Sequence, residues 1–269
     1  MTLTMRILGC GSSGGVPRVG QGWGDCDPAE PRNRRRRCSI LLRKRGNGGE
    51  TALLVDASPD LREQLLDADA TRLDATLLTH PHADHMNGID DVRPIVIHMR
   101  RRMPIYMDEA TSAAARRSFG YVFETTPGSL YVPIADDRRL HHGRPQTFEG
   151  PGGSFDVTPF RLVHGEIDAL GLRVGTAAYT PDVSAIPPES LAHLEGLDLW
   201  VIDALRRTPH PTHFSLDDAL GWIERMGPKR AVLTNMHTDL DYATLKRELP
   251  DNVEPAFDGM TLEVGQEIA

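Results

Sequence analysis

Hydrophobic positions along the chain fall into short runs separated by glycine- and proline-rich breaks. Runs rich in β-branched and aliphatic residues at 6–8, 39–42, 52–55 and 75–78 predict strands in the first third, and 155–162, 170–174, 199–202 and 231–233 predict four more. Glycine clusters at 11–17, 46–49 and 150–153 read as loops. Helix starts are signalled by Ser58 as N-cap with Pro59 at the first helical position, by Ser215 followed three residues later by Asp218, and by Asp108 ahead of 109–117. Hairpin-like strands followed by strand and helix in alternation predict sheets packed together and covered by helices, a layered α/β arrangement. No repeat, low-complexity tract or long linker divides residues 1–269, so one domain is expected.

Composition narrows the class. With 269 residues, 39% hydrophobic and a net charge of -8, the chain is too apolar and too weakly charged to be disordered. No stretch reaches the roughly 18 apolar residues of a membrane span, and the first residues lack the layout of a secretory signal, so a cytoplasmic protein is expected. Cys10, Cys26 and Cys38 are odd in number and widely spaced, which predicts reduced thiols. Acidic residues outnumber basic ones, 38 to 30, which argues against a general nucleic-acid binder. Arginines nevertheless bunch at 34–37, 100–102, 138–139 and 206–207, and Arg34 in the first run is a candidate for contact with an anionic substrate.

The candidate chemistry is concentrated in Leu77-Leu-Thr-His-Pro-His-Ala-Asp-His85, where an apolar strand ends in four metal-ligating side chains, His80, His82, Asp84 and His85. Imidazole and carboxylate suit zinc and its first-row neighbours, and no packing role explains three histidines and an aspartate in six residues. His80 and His82, two apart on extended backbone, point to one side while Asp84 and His85 turn to another, so one loop can serve two metals.

This segment resembles the metal-ligand motif of the metallo-β-lactamase superfamily. The resemblance implies a four-layer αβ/βα sandwich and supplies later ligands at His164 in Leu162-Val-His-Gly165, Asp182 in Thr180-Pro-Asp-Val183 and His237 in Leu233-Thr-Asn-Met-His237. It implies that His80, His82 and His164 hold one divalent ion, zinc or manganese, and that Asp84, His85 and His237 hold a second, with Asp182 and a hydroxide between them. The family often carries its last histidine directly after the threonine, where this chain has Asn235, so either residue 235 or 237 completes the second site.

Leu8-Gly-Cys-Gly-Ser-Ser-Gly-Gly-Val-Pro17, Asp56-Ala-Ser-Pro-Asp-Leu-Arg62 and Asn87-Gly-Ile-Asp-Asp-Val-Arg93 are similar to the phosphodiesterase branch of that superfamily. This likeness implies hydrolysis of a small cyclic or nucleotide-like phosphodiester by hydroxide attack. His213, just before the capped helix, resembles a histidine of that branch outside the metal set, with Asp84 beside it in the catalytic group. Its implied work is to contact the phosphate and protonate the leaving alkoxide. Ser12 and Ser13, in the glycine-rich loop, are candidates for binding the phosphate. His98, His141, His142, His193 and His210 read as surface residues, with His193 on an amphipathic helix. The branch's cysteine-rich structural zinc site is not matched here. The expected partner is a small substrate, with neither long nucleic acid nor membrane involved, and a homodimer is the assembly to test. The alternatives are an ester, lactone or thioester hydrolase on the same metals, and a binding or carrier protein on this fold.

Overall fold

Alternation along the early strands divides the core in two. In β1 (Thr2–Gly9), Leu3, Met5 and Ile7 face one side, and β2 (Ser39–Gly46) and β3 (Gly49–Val55) extend that face with Ile40, Leu42, Leu53 and Val55. Leu8, Leu41 and Leu54 point the other way and are also buried. Burial on both faces is why these strands read as unbroken apolar runs.

The computed structural model describes residues 2–265 and contains two mixed seven-stranded sheets flanked by helices. The first sheet continues from β3 through β4 (Ala75–Leu77), β5 (Met103–Met107) and β6 (Ala135–Arg139) in parallel, and β14 (Thr261–Val264) closes its other edge beside β1. The second is built from β7 (Gln146–Phe148), β8 (Phe155–His164), β9 (Ile167–Val174) and β10 (Ala177–Thr180), all antiparallel neighbours. It ends in parallel β11 (Leu199–Asp203), β12 (Arg230–Thr234) and β13 (Val253–Pro255).

Inner faces of the two sheets share one apolar cluster, in which Trp200 is wholly buried and donates its indole N–H to Thr180 Oγ1 at 3.0 Å. Helices α1 (Leu61–Asp67), α3 (Arg93–Met99) and α4 (Glu109–Phe123) cover the outer face of the first sheet, and α5 (Leu216–Met226) and α6 (Tyr242–Glu248) pack on the second. A single turn, α2 (Ala83–Met86), lies in the histidine-rich loop. This is the αβ/βα layering expected.

All eight expected strands coincide with strands, residue 78 alone falling just beyond β4. Strands β5, β6, β7, β10, β13 and β14 were not expected: each is five residues or fewer, four of them are sheet edges, and β6 is Ala-Asp-Asp-Arg-Arg. The Ser215 cap is present as a full capping box, and Asp108 caps α4 through Thr111 N–H. Ser58 is a correction: α1 starts at Leu61 with Asp60 at its N-cap. The Ser58 hydroxyl accepts from Asp60 N–H at 3.1 Å and donates to Gln64 Oε1 at 2.8 Å, so Ser58-Pro59-Asp60 forms a turn leading into the helix. His193 lies on a 3-10 turn, its ring stacked on Phe160.

Residues 10–38 form a long loop bound to the segment before α6. Buried Arg35 donates to the Leu240 carbonyl at 2.6 Å and the His237 carbonyl at 3.3 Å. Asp241 accepts from Asn33 Nδ2 at 2.6 Å and from Asp27 N–H, while its other oxygen caps α6 at Thr244 N–H. Burial opposes its charge, but these donors hold the carboxyl at about 2. A carboxylate with a depressed pKa contributes stability that is complete above the ordinary value near 4 and is lost as pH falls toward 2. Asp241→Asn is therefore expected to lower the melting temperature most above pH 4, with the gap from the native chain closing toward pH 2 in thermal melts across that range.

Candidate metal centre

Strand ends of both sheets meet at one rim. β3 runs into Asp56, β4 into the loop that carries His80, His82, Asp84 and His85, β8 ends in His164, β10 leads to Asp182, β11 ends in Asp203 and β12 leads to Asn235. Each side chain thus stands at the end of a strand anchored in the core, the arrangement that holds a site rigidly.

Three imidazoles converge first. His80 Nε2 lies 3.2 Å and His164 Nε2 3.1 Å from His82 Nδ1. The far nitrogens of two of them are taken: His164 Nδ1–H donates to the Thr212 carbonyl at 2.6 Å, and His80 Nδ1 meets Thr79 Oγ1 at 3.0 Å. Their near nitrogens therefore turn lone pairs toward a common point, the tautomer a metal requires. Burial pushes the pKa of both down, that of His80 far down, so they stay neutral ligands.

A second convergence lies beside it. His85 Nε2 is 3.1 Å from Asp182 Oδ2 and 3.4 Å from Asp84 Oδ2. Asp56, at φ 64 and fully buried, accepts from His85 Nδ1–H at 2.7 Å and from Thr79 N–H and hydroxyl, which fixes the ring. His85 Nε2 and Asp182 Oδ2 are both buried with no hydrogen-bond partner. Orphaned buried acceptors facing one another are costly, and a cation between them removes the cost. Burial opposes charge on His85, but Asp182, Asp56 and Asp84 raise its pKa well above the ordinary value, a measure of the field that attracts a cation there. The residues present thus fit divalent ions: His80, His82 and His164 on one side, His85 and Asp84 on the other, with Asp182 facing both.

His213 stands next to this cluster. Its Nδ1–H donates to Asp203 Oδ2 at 2.9 Å and lies 3.7 Å from Asp182 Oδ1. Burial disfavours its charge, yet Asp203 and Asp182 push it up to about 9. Burial raises the Asp203 carboxyl, which also accepts from Val183 N–H.

The cluster opens into a cavity of about 280 Å³, whose wall includes Ser12, Ser13, Arg18, Leu205, Arg206, His210, Thr212, His213 and His237. The Ser12 hydroxyl is buried and unpartnered. Arg18 and Arg206 have no carboxylate partner among the described residues; Arg206 donates to the Thr208 and Pro209 carbonyls.

The expected site residues are therefore brought together with two exceptions. His237 reaches the cavity wall but joins none of the metal-capable groups; its Nε2 contacts the Arg18 guanidinium, and burial with Arg18 lowers its pKa. Asn235 stands nearer the metal cluster, its amide 3.2 Å from Asp182 Oδ1. Arg34 lies outside the cavity, its guanidinium over the Trp23 ring, because residues 34 and 35 alternate and Arg35 takes the inward position. Asp56 and Asp203 were not foreseen as site residues, although each is an acid ending a buried apolar strand, which is the available signal. Arg18 and Arg206 were not singled out either.

Removing the charge that fixes His85 tests this arrangement. Asp56→Asn keeps a residue tolerant of positive φ and is expected to weaken metal retention by about 10- to 100-fold, measured by elemental analysis after competition with a chelator.

Residues 51–236, which run from β3 through the loop after β12, match the family described as the Beta-lactamase superfamily domain. An octanoyltransferase of Porphyromonas gingivalis is 33% identical over 259 residues, covering 94% of this chain and 50% of that protein, so the chain spans half of that relative's length. A crystal structure described as a new diphosphatase from the PhnP family is 35% identical, covers 100% of this chain and 99% of that one, and superposes with a TM-score of 0.88. Zinc-bound PqqB from Methylobacterium extorquens shares the fold at 18% identity and a TM-score of 0.76, over 97% of this chain and 100% of that one. The matched span contains every donor of the cluster, and the chain belongs to the metallo-β-lactamase superfamily.

Proposed function

We propose that this chain is a metal-dependent phosphodiesterase that hydrolyses a small, anionic, cyclic or nucleotide-like phosphodiester. The observation that carries this reading is the wall opposite the metal cluster, which presents Arg18, Arg206, His213 and the buried Ser12 hydroxyl and only one aliphatic side chain, Leu205. Guanidinia without a carboxylate partner and hydroxyl donors suit phosphoryl oxygens. The relative described as a diphosphatase also supports cleavage at phosphorus.

Divalent ions held by His80, His82, Asp84, His85, His164 and Asp182, zinc or manganese by ligand type, would lower the pKa of a coordinated water and neutralise charge on the phosphoryl group. The chain's own residues do the rest. Arg18 and Arg206 draw the anion into the cavity, with Ser12 and Ser13 donating to its oxygens. His213, whose pKa Asp203 and Asp182 raise and whose Nδ1–H Asp203 holds, keeps Nε2 free to deliver a proton to the leaving oxygen.

An acyl substrate fits less well. An octanoyl chain needs an apolar channel, which this wall lacks, and the relative named for octanoyl transfer is twice the length of the matched region. Loss of activity toward phosphodiesters with turnover of thioesters would establish that second reading.

Hydrolysis of bis-p-nitrophenyl phosphate by zinc- and manganese-loaded protein tests the proposal, with turnover abolished by chelator expected and no turnover in either form refuting it. His213→Ala is expected to slow alkyl esters by about 10²- to 10⁴-fold and p-nitrophenyl esters far less, since an activated phenolate leaves unaided. Equal slowing of both would assign His213 to phosphate binding alone.

A further inference from the structure

We infer that the two cation positions are chemically unequal: the imidazole set takes a zinc-type ion tightly, and the carboxylate set takes a harder, exchangeable ion of the manganese or magnesium type. The inference rests on the metal-dependent reading above and deepens it.

The first set offers three imidazole nitrogens, with Asp182 Oδ1 3.8 Å from His164 Nε2 as a fourth donor. The second offers a single imidazole, His85, and the two carboxylates of Asp84 and Asp182, of which Asp182 is shared with the first. A nitrogen-rich set favours zinc, and an oxygen-rich set with fewer donors favours harder ions held less firmly.

What leaves the second set short is Asn235. It is buried, in left-handed backbone at φ 61, and its Nδ2 donates to the Pro181 carbonyl at 3.1 Å and to Asp182 Oδ1 at 3.2 Å. Because the Pro181 carbonyl can only accept, turning the amide over would set oxygen against oxygen. Asn235 therefore gives a metal ion no lone pair on this side; it steadies the shared carboxylate instead. Among the described residues no side chain takes its place, although His213 lies within reach of His164 and Asp182. His213 Nδ1 is committed to Asp203, His237 is turned to Arg18, and the Cys38 thiol, its pKa raised by burial, donates to the Gly11 carbonyl.

The test is the metal content of purified protein dialysed against metal-free buffer, followed by calorimetric titration with zinc and with manganese. The expected result is about one zinc retained per chain and a second equivalent that rebinds at least about a hundredfold more weakly, with manganese accepted there. Asn235→His removes the amide donor and adds an imidazole, and is expected to retain about two zinc ions. Two zinc ions held equally by the native chain, or no second binding event, would overturn the inference while leaving the metal hydrolase standing. The native titration decides this even if the variant does not fold. No retained metal together with no turnover in any metal form would refute both.

Discussion

Imidazole nitrogens and carboxylate oxygens that face one another at 3.1 to 3.4 Å, mostly buried and with their other atoms already bonded, repel unless a cation lies among them. The surrounding structure exists to enforce that repulsive arrangement. Asp56 holds His85, the Thr212 carbonyl holds His164 and Thr79 meets His80, so none of these three rings can turn over to relieve the contact by exposing an N–H. Stability is given up locally to buy affinity for charge, and the large two-sheet core supplies the reserve from which it is drawn.

Strand order explains how one chain gathers these groups. Parallel neighbours β3 and β4 place Asp56 beside the histidine loop, and parallel neighbours β10, β11 and β12 place Asp182, Asp203 and Asn235 side by side at the facing rim. Parallel strands send all their C-terminal ends in one direction, so successive loops accumulate at a single edge. Antiparallel β8 and β9 then bring His164 to the same edge, with Leu170 N–H bonded to the Thr79 carbonyl across the sheets.

Much of this was legible from residue order, for a physical reason. The spacing His-x-His-x-Asp-His has no packing function, so it stands out, and the strands beneath it are short but largely apolar. What stayed hidden depends on single-residue changes of direction. Asn235 and His237 are two apart and compete for one role, and only the left-handed turn at Asn235 decides that the amide meets Asp182 while the imidazole meets Arg18. Arg34 and Arg35 are adjacent, yet one stacks on Trp23 and the other is buried without a carboxylate. Ser58 and Asp60 compete in the same way for the start of α1.

Buried Arg35 links these two outcomes. By donating to the His237 and Leu240 carbonyls, it ties the loop that carries Ser12, Ser13 and Arg18 to the segment that carries Asn235 and His237. Ser12 N–H to Met236 O and Met236 N–H to Cys10 O add a second seam between the same segments. The cationic wall of the cavity and the amide that braces Asp182 therefore belong to one hydrogen-bonded unit. The position of the cavity wall relative to the histidine and aspartate cluster is set by backbone bonds rather than by the flexible ends of arginine side chains, which is how long cationic side chains can belong to a site built to close tolerances.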